Sequence, residues 1–181
     1  ARFLDLFGGT GAVGIEALSR GAERAVFVER ERLALRTIGH NLQSTGLADS
    51  AHVVPGDAFK YLNRSADVFE FVYIAPPQYK GLWIQALHAL DRSDILVEDG
   101  YAIVQIHPKE RVAVELESLR LVDERQYGST MLLFFRREGY RHMLEQMKEE
   151  LRRFRVEFDV WFSETVLHEE GRVQGAINDL L

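Results

Sequence analysis

At 181 residues the chain has room for one α/β core with an appendage and is short of two domains of ordinary size. A hydrophobic fraction of 46% beside 28% charged residues excludes a disordered chain, and no apolar run approaches the ~18 residues of a membrane helix. The formal net charge of −6 argues against a uniformly basic nucleic-acid binder, though not against a local basic face, and the absence of cysteine removes disulfides, thiolate metal sites and a cysteine nucleophile together.

The chain opens on "RFLDLF", a short apolar run read as a core strand rather than a signal peptide. So abrupt a start leads us to expect further sequence upstream. Gly9-Thr10-Gly11-Ala12-Val13-Gly14 then matches the G-x-G-x-x-G pattern, and Val13, Ile15, Ala17 and Leu18 carry a helix toward a stop at Gly21. "AVFVE" is a second buried strand ending on Glu29. "RERLALRTIGHNLQSTGL" is amphipathic, with Leu33, Leu35, Ile38 and Leu42 among polar residues. "AHVVPGDAF" predicts a third strand, "FEFVYIAPP" a fourth stopped by two prolines, and "GYAIVQIHP" a fifth stopped by one. Helical patterns separate them at "LWIQALHAL" and "KERVAVELESL". "LRLVDERQYGSTMLLFFRR" reads as two strands joined through "YGST". Strand and helix in alternation predict a Rossmann-like α/β fold, its sheet mostly parallel, covered on both faces and closed by an antiparallel hairpin.

After Arg137 the character changes. "EGYRHMLEQMKEELRRF" is a charged helix with Met143, Leu144, Met147 and Leu151 on one side, "VEFDVWF" a strand and "HEEGRVQGAINDLL" a helix. We place the boundary near Glu138, between a main domain at 1–137 and a helix-strand-helix appendage at 138–181.

Glycines after a first strand let the backbone approach a ligand closely, and the helix that follows offers unpaired N–H groups. A nicotinamide dinucleotide would place its pyrophosphate there and its ribose on Glu29. S-adenosylmethionine uses the same turn without a phosphate, and its ammonium and sulfonium favour further negative charge, which Asp5 supplies. The plain alternative is that the glycines only allow close helix–strand packing. Downstream, "GDAF" puts Asp57 and Ala58 at the carboxyl edge of the sheet, where Asp57 can accept from an adenine amino group, cap the helix that starts at Ala58, or do both. "YIAPPQY" follows, in which Pro76 and Pro77 stiffen a loop and Tyr79 is free to stack on a planar substrate.

The order "LDLFGGTGAVGIEALSRGA", "VFVE", "GDAF", "YIAPPQYKGLW" and "YGSTMLLFF" resembles the bacterial 16S rRNA guanine-N2 methyltransferases of the RsmD type, over residues 2 to about 137. The resemblance implies a class I methyltransferase fold, S-adenosylmethionine as cofactor, and a substrate of 16S rRNA or a small-subunit ribosomal particle in the cytoplasm. It implies that Asp5, Phe7, Gly9, Thr10 and Gly11 surround the methionine part, Glu29 the ribose, and Asp57 with Ala58 the adenine. Pro76, Pro77 and Tyr79 would hold the target base. The six histidines include no H-x-x-x-H or similar pair, so no metal is expected, and no membrane partner either.

One departure matters. Families of this kind read Asp or Asn before Pro-Pro-Tyr or Pro-Pro-Phe, with that side chain accepting from the target amine. Here the position is Ala75, and Gln78 is inserted before Tyr79. Loss of a general base would cost something like ~10²-fold, although amines of this sort need positioning more than deprotonation. The carbonyl of Ala75 or Pro76, or the amide of Gln78, could substitute. Lys80, Trp83 and Lys109 could touch RNA, against plainer readings of Trp83 as core and the lysines as solvated. His107, before Pro108, reads as structural.

The segment "EGYRHMLEQMKEELRRFRVEFDVWFSETVLHEEGRVQGAINDLL" resembles an internal part of bacterial arginyl-tRNA synthetases, without H-I-G-H-like or K-M-S-K-S-like signatures. Two other functional classes stay open: a catalytically impaired cofactor- or RNA-binding module, and an NAD(P)-dependent oxidoreductase, in which Asp57 and the strand-four prolines would have no role.

Overall fold

The central strand β1 (Arg2–Asp5) pairs in parallel with β2 (Arg24–Glu29) on one side and with β4 (Phe69–Ile74) on the other. In this computed structural model residues 1–139 are described, so all but the start of the expected 138–181 appendage lies outside the described residues. β3 (Ala51–Pro55) extends the sheet beyond β2, and β5 (Leu96–Ile106) runs parallel to β4. The hairpin of β6 (Leu119–Tyr127) and β7 (Thr130–Arg137) closes it, with β7 antiparallel to β5. The seven-stranded order is β3-β2-β1-β4-β5-β7-β6. This is the expected α/β architecture, and the order reverses between β1 and β4, which opens a crevice at the carboxyl ends of those two strands.

Among the described residues four helices cover two faces of the sheet. α1 (Ala12–Ser19) and α2 (Arg32–Thr45) contribute Leu18, Ile38 and Leu42 to a core with Phe3, Ala25, Phe27 and Tyr73. α3 (Ala58–Arg64) and α4 (Leu82–Asp91) pack Leu62, Trp83, Leu87 and Leu90 against Leu4, Val26, Val72, Ile74 and Val104 on the opposite face. The period of two along each strand thus divides the apolar residues between the cores, and it turns Asp5, Tyr73 and Gln105 to the α1/α2 face. Trp83 is core, at 2% exposed, as its plainer reading held, whereas Leu33, at 76% exposed, lies off the buried stripe of α2.

The helix expected at "KERVAVELESL" does not form. A 3₁₀ turn at Pro108–Glu110 is followed by irregular chain up to β6. Val112 and Ala113 stay exposed, while Val114 and Leu116, two apart as in extended chain, pack against the α3/α4-face core. Asp91 holds the segment in another way, accepting from the backbone N–H groups of Glu117, Ser118 and Leu119 at 2.7–2.9 Å and from the Ser118 hydroxyl at 2.8 Å. Burial alone would raise the Asp91 carboxyl; these hydrogen bonds outweigh it and hold the group below its ordinary range.

Candidate functional site

Between β1 and α1 the chain makes two tight reversals, with Gly9 at φ +53° and Gly11 at φ +78°, a region costly to any residue bearing Cβ. Gly8 N–H donates to the Val28 carbonyl and Gly11 N–H to the Gly8 carbonyl, which curls the loop over the end of β2. Glu29 completes the stitch. Its Oε2 accepts from Gly9 N–H at 2.8 Å, and Oε1 accepts from Arg30 and Glu31 N–H at 2.8 and 2.9 Å. A carboxylate has about four acceptor sites, so this anchored group retains capacity for a ligand hydroxyl. Gly14 has a different task. A Cβ there would stand 2.3 Å from Cε1 of Phe27, so the third glycine of the pattern exists for helix–strand packing.

Asp5 lies behind the loop, 2% exposed, and its Oδ1 has no hydrogen-bond partner. Burial lifts its carboxyl to about 7, the charge of Glu29 pushes the same way, and the backbone N–H groups of Gly14 and Phe7 oppose both. A buried carboxylate with one oxygen unpartnered is a costly arrangement, and a cation seated beside it would relieve the cost.

At the end of β3, Asp57 caps α3: Oδ1 accepts from Phe59 and Lys60 N–H at 3.0 and 3.1 Å. The cap leaves Oδ2 for other partners. Beyond β4, Pro76 is buried and Pro77 exposed, and Tyr79, 64% exposed, takes φ +61°. Tyr79 N–H donates to Glu110 Oε1 at 2.8 Å, and its ring lies 5.6 Å from the His107 imidazole. His107 Nδ1 is itself fixed by the N–H of Lys109 at 3.1 Å.

A cavity of about 560 Å³ opens among these strand ends, of a size that suits a nucleoside-like ligand. Phe7, Gly9, Glu29, Asp57 and Ala58 line one part of it, and Ala75, Pro76, Pro77, Gln78 and Gln105 another. A larger hollow of about 690 Å³ lies by the C-terminal ends of α3 and α4, and none of the sequence-predicted site residues borders it.

The profile of the family described as Conserved hypothetical protein 95 matches residues 1–136. The chain belongs to this family, the RsmD family of rRNA methyltransferases. YlbH of Bacillus subtilis, a candidate rRNA methyltransferase, is 34% identical over 142 residues, covering 76% of this chain and 77% of that protein. Ribosomal RNA small subunit methyltransferase D of Escherichia coli K12 is 28% identical over 139 residues, 77% of this chain and 70% of its own length. The structure of the candidate methyltransferase YhhF of Escherichia coli superposes with a TM-score of 0.69 at 28% identity, covering 76% of each chain. Arginine–tRNA ligase of Bacillus subtilis is 35% identical over 97 residues, 54% of this chain but only 17% of the ligase. That span is longer than 138–181, so it is not confined to the tail.

Against the RsmD-type assignment, five of the eight predicted cofactor residues line the cavity: Phe7, Gly9, Glu29, Asp57 and Ala58. Asp5 and Gly11 do not border the cavity, and Thr10 is exposed, its carbonyl accepting from Asn41 Nδ2 at 2.9 Å. Pro76 and Pro77 reach the cavity, whereas Tyr79 stands outside its wall. Sequence reasoning passed over Gln105 and Glu110. A lone polar residue near the end of the apolar run "AIVQI" was the one available sign of the first; nothing local marks the second.

Proposed function

We propose that this RsmD-family chain transfers a methyl group from S-adenosylmethionine to the exocyclic N2 of a guanine in 16S rRNA, presented by a small-subunit particle in the cytoplasm. The supporting observation is the acid-lined cavity at the point where strand order reverses, with the buried Asp5 carboxylate, its Oδ1 without a partner, behind its glycine loop. That donor set fits a cationic nucleoside rather than a pyrophosphate, which a buried carboxylate would repel. Residues 1–137 carry the activity in this reading.

When bound, the cofactor supplies a methyl group already activated by its sulfonium. The chain's own task is then to bind, orient and exclude water. Asp5 balances the methionine ammonium beside Phe7, Gly9, Thr10 and Gly11, Glu29 takes a ribose hydroxyl, and Asp57 with Ala58 receives the adenine. Pro76, Pro77 and Tyr79 hold the target base. The Ala75 side chain accepts nothing, so the amine must be turned by backbone carbonyls or by side chains nearby, and its proton leaves to solvent.

Two measurements test the reading. Calorimetry should detect S-adenosylhomocysteine and not NADH, and tritiated methyl should enter small-subunit RNA that lacks the modification. Cofactor binding without transfer would favour the non-catalytic module that Ala75 suggests; NADH binding in place of S-adenosylhomocysteine would restore the oxidoreductase.

A further inference from the structure

The polar lining of the cavity divides into two kinds. Toward β2 and β3 it is largely carboxylate, from Glu29, Glu31 and Asp57, with Arg30 at the rim. Toward β4 and β5 the side chains of Ala75, Pro76 and Pro77 have no polar atoms, and only Gln78 and Gln105 remain to address a substrate there. Gln78 is exposed in the loop, whereas Gln105 is half-buried on β5.

Gln105 is also held. Its Oε1 accepts a hydrogen bond from the Tyr73 hydroxyl. Tyr73 is fixed in turn: it is 7% exposed in the α1/α2-face core, and it stands opposite Asp5 in the β1–β4 register. Burial, with the nearby Asp5 charge, pushes the Tyr73 hydroxyl up to about 12, so it remains a donor throughout the physiological range. With Oε1 engaged, the planar amide turns Nε2 and its two N–H groups away from Tyr73. Ile74 pairs with Val104, so Ala75 and Gln105 are the next residues along neighbouring strands. The small Ala75 side chain leaves the amide room at the cavity wall.

We infer that Gln105 reads the substrate base: its Nε2 donates to the ring nitrogen beside the exocyclic amine, N3 in a guanine, and so sets the edge that the amine presents. This rests on the methyltransferase reading and adds to it the group that chooses the base. An amide neither takes a proton nor touches the methyl group, so Gln105 is a specificity residue and not a base. Its contact is the same in ground state and transition state, and its loss should therefore appear in KM rather than in kcat.

The test uses the full chain with unmodified small-subunit RNA and tritiated S-adenosylmethionine. Gln105→Leu should raise KM for RNA about tenfold, the worth of one hydrogen bond with its desolvation. Its kcat should stay within about threefold of the wild type, and its affinity for S-adenosylhomocysteine should not change. Gln105→Glu, nearly isosteric but an acceptor only, should be at least as impaired, while Tyr73→Phe, which frees the amide to rotate, should fall between. Wild-type KM in both Gln105 variants would overturn the inference, and so would a loss of S-adenosylhomocysteine affinity in step with KM. Absence of methyl transfer by the wild-type chain would instead overturn the proposed function, and this inference with it.

Discussion

Glu110 Oε1 accepts the backbone N–H of Tyr79 at 2.8 Å, and Tyr79 is held at φ +61°, a conformation that disfavours a residue with a side chain. Such a residue costs roughly 1 kcal/mol and persists only where neighbours enforce it. The carboxylate and the His107 ring are those neighbours, and they display the Tyr79 ring at the edge of the site. Glu110→Ala is therefore expected to lower kcat/KM for RNA about tenfold with unchanged S-adenosylhomocysteine affinity. Glu110→Gln, whose amide oxygen still accepts, should retain most of the activity. Equal loss in the two variants, by steady-state methyl transfer, would reject a positioning role.

Asp5 couples cofactor binding to pH. Its carboxyl titrates at about 7 in the folded chain, against an ordinary value of 3.8, mainly because it is buried. The ligand's ammonium needs the ionised form, and S-adenosylhomocysteine keeps that ammonium although it lacks the sulfonium, so its affinity should rise as pH passes upward through about 7, and Asp5→Asn should bind weakly without that rise. Stability runs the other way. The folded carboxyl holds its proton more tightly than the unfolded one, so the fold loses stability as pH climbs from about 4 toward 7. The raised value corresponds to something on the order of 4 kcal/mol at most. Asp5→Asn is accordingly expected to resist urea better than the wild type at pH 8, with an advantage that shrinks as pH falls and vanishes below about 4.

Gly14 should prove a packing residue. The Cβ of Gly14→Ala would meet the Phe27 ring at 2.3 Å, and Phe27 is fully buried, so the helix or the ring must move. Overpacking of this kind costs about 1–3 kcal/mol, to be read as a lower urea midpoint. Phe27→Leu in the same chain should recover part of the loss by making room. Gly9→Ala, by contrast, meets nothing closer than the Phe7 carbonyl at 3.8 Å; its penalty comes from φ +53° and should fall on ligand binding as well as on stability.

These contrasts explain what the sequence made legible. The parallel strands bury both faces, so "RFLDLF", "AVFVE" and "FEFVYI" stand out as apolar runs, and the acids Asp5 in the first, Glu29 at the end of the second and Asp57 just after β3 fall at the carboxyl edge by spacing alone. At 109–119 the expected helix gives way to extended chain, in which Val114 and Leu116 pack on the core and Asp91, distant in sequence, binds the backbone. The contacts of Gln105 with Tyr73 and of Glu110 with Tyr79 join residues about thirty apart on separate elements, and no local pattern encodes such a pairing.

Ala75 gives the sharpest test of how the amine is oriented. It sits at the end of β4 in the cavity wall, half-buried, where the RsmD-type pattern has an acceptor. Ala75→Asp would place a carboxylate beside Gln105, whose N–H groups can support it, and within the same low-dielectric wall as the cofactor half of the cavity. If transfer is limited by a poorly oriented amine, kcat should rise several-fold, up to about 10²-fold were the new carboxylate also to take the proton. The added charge opposes ionisation of Asp5, so the pH at which S-adenosylhomocysteine affinity rises should move upward in the variant. A kcat that falls or stays level while the variant still binds S-adenosylhomocysteine would mean that backbone carbonyls already orient the amine, and that Ala75 is no deficiency.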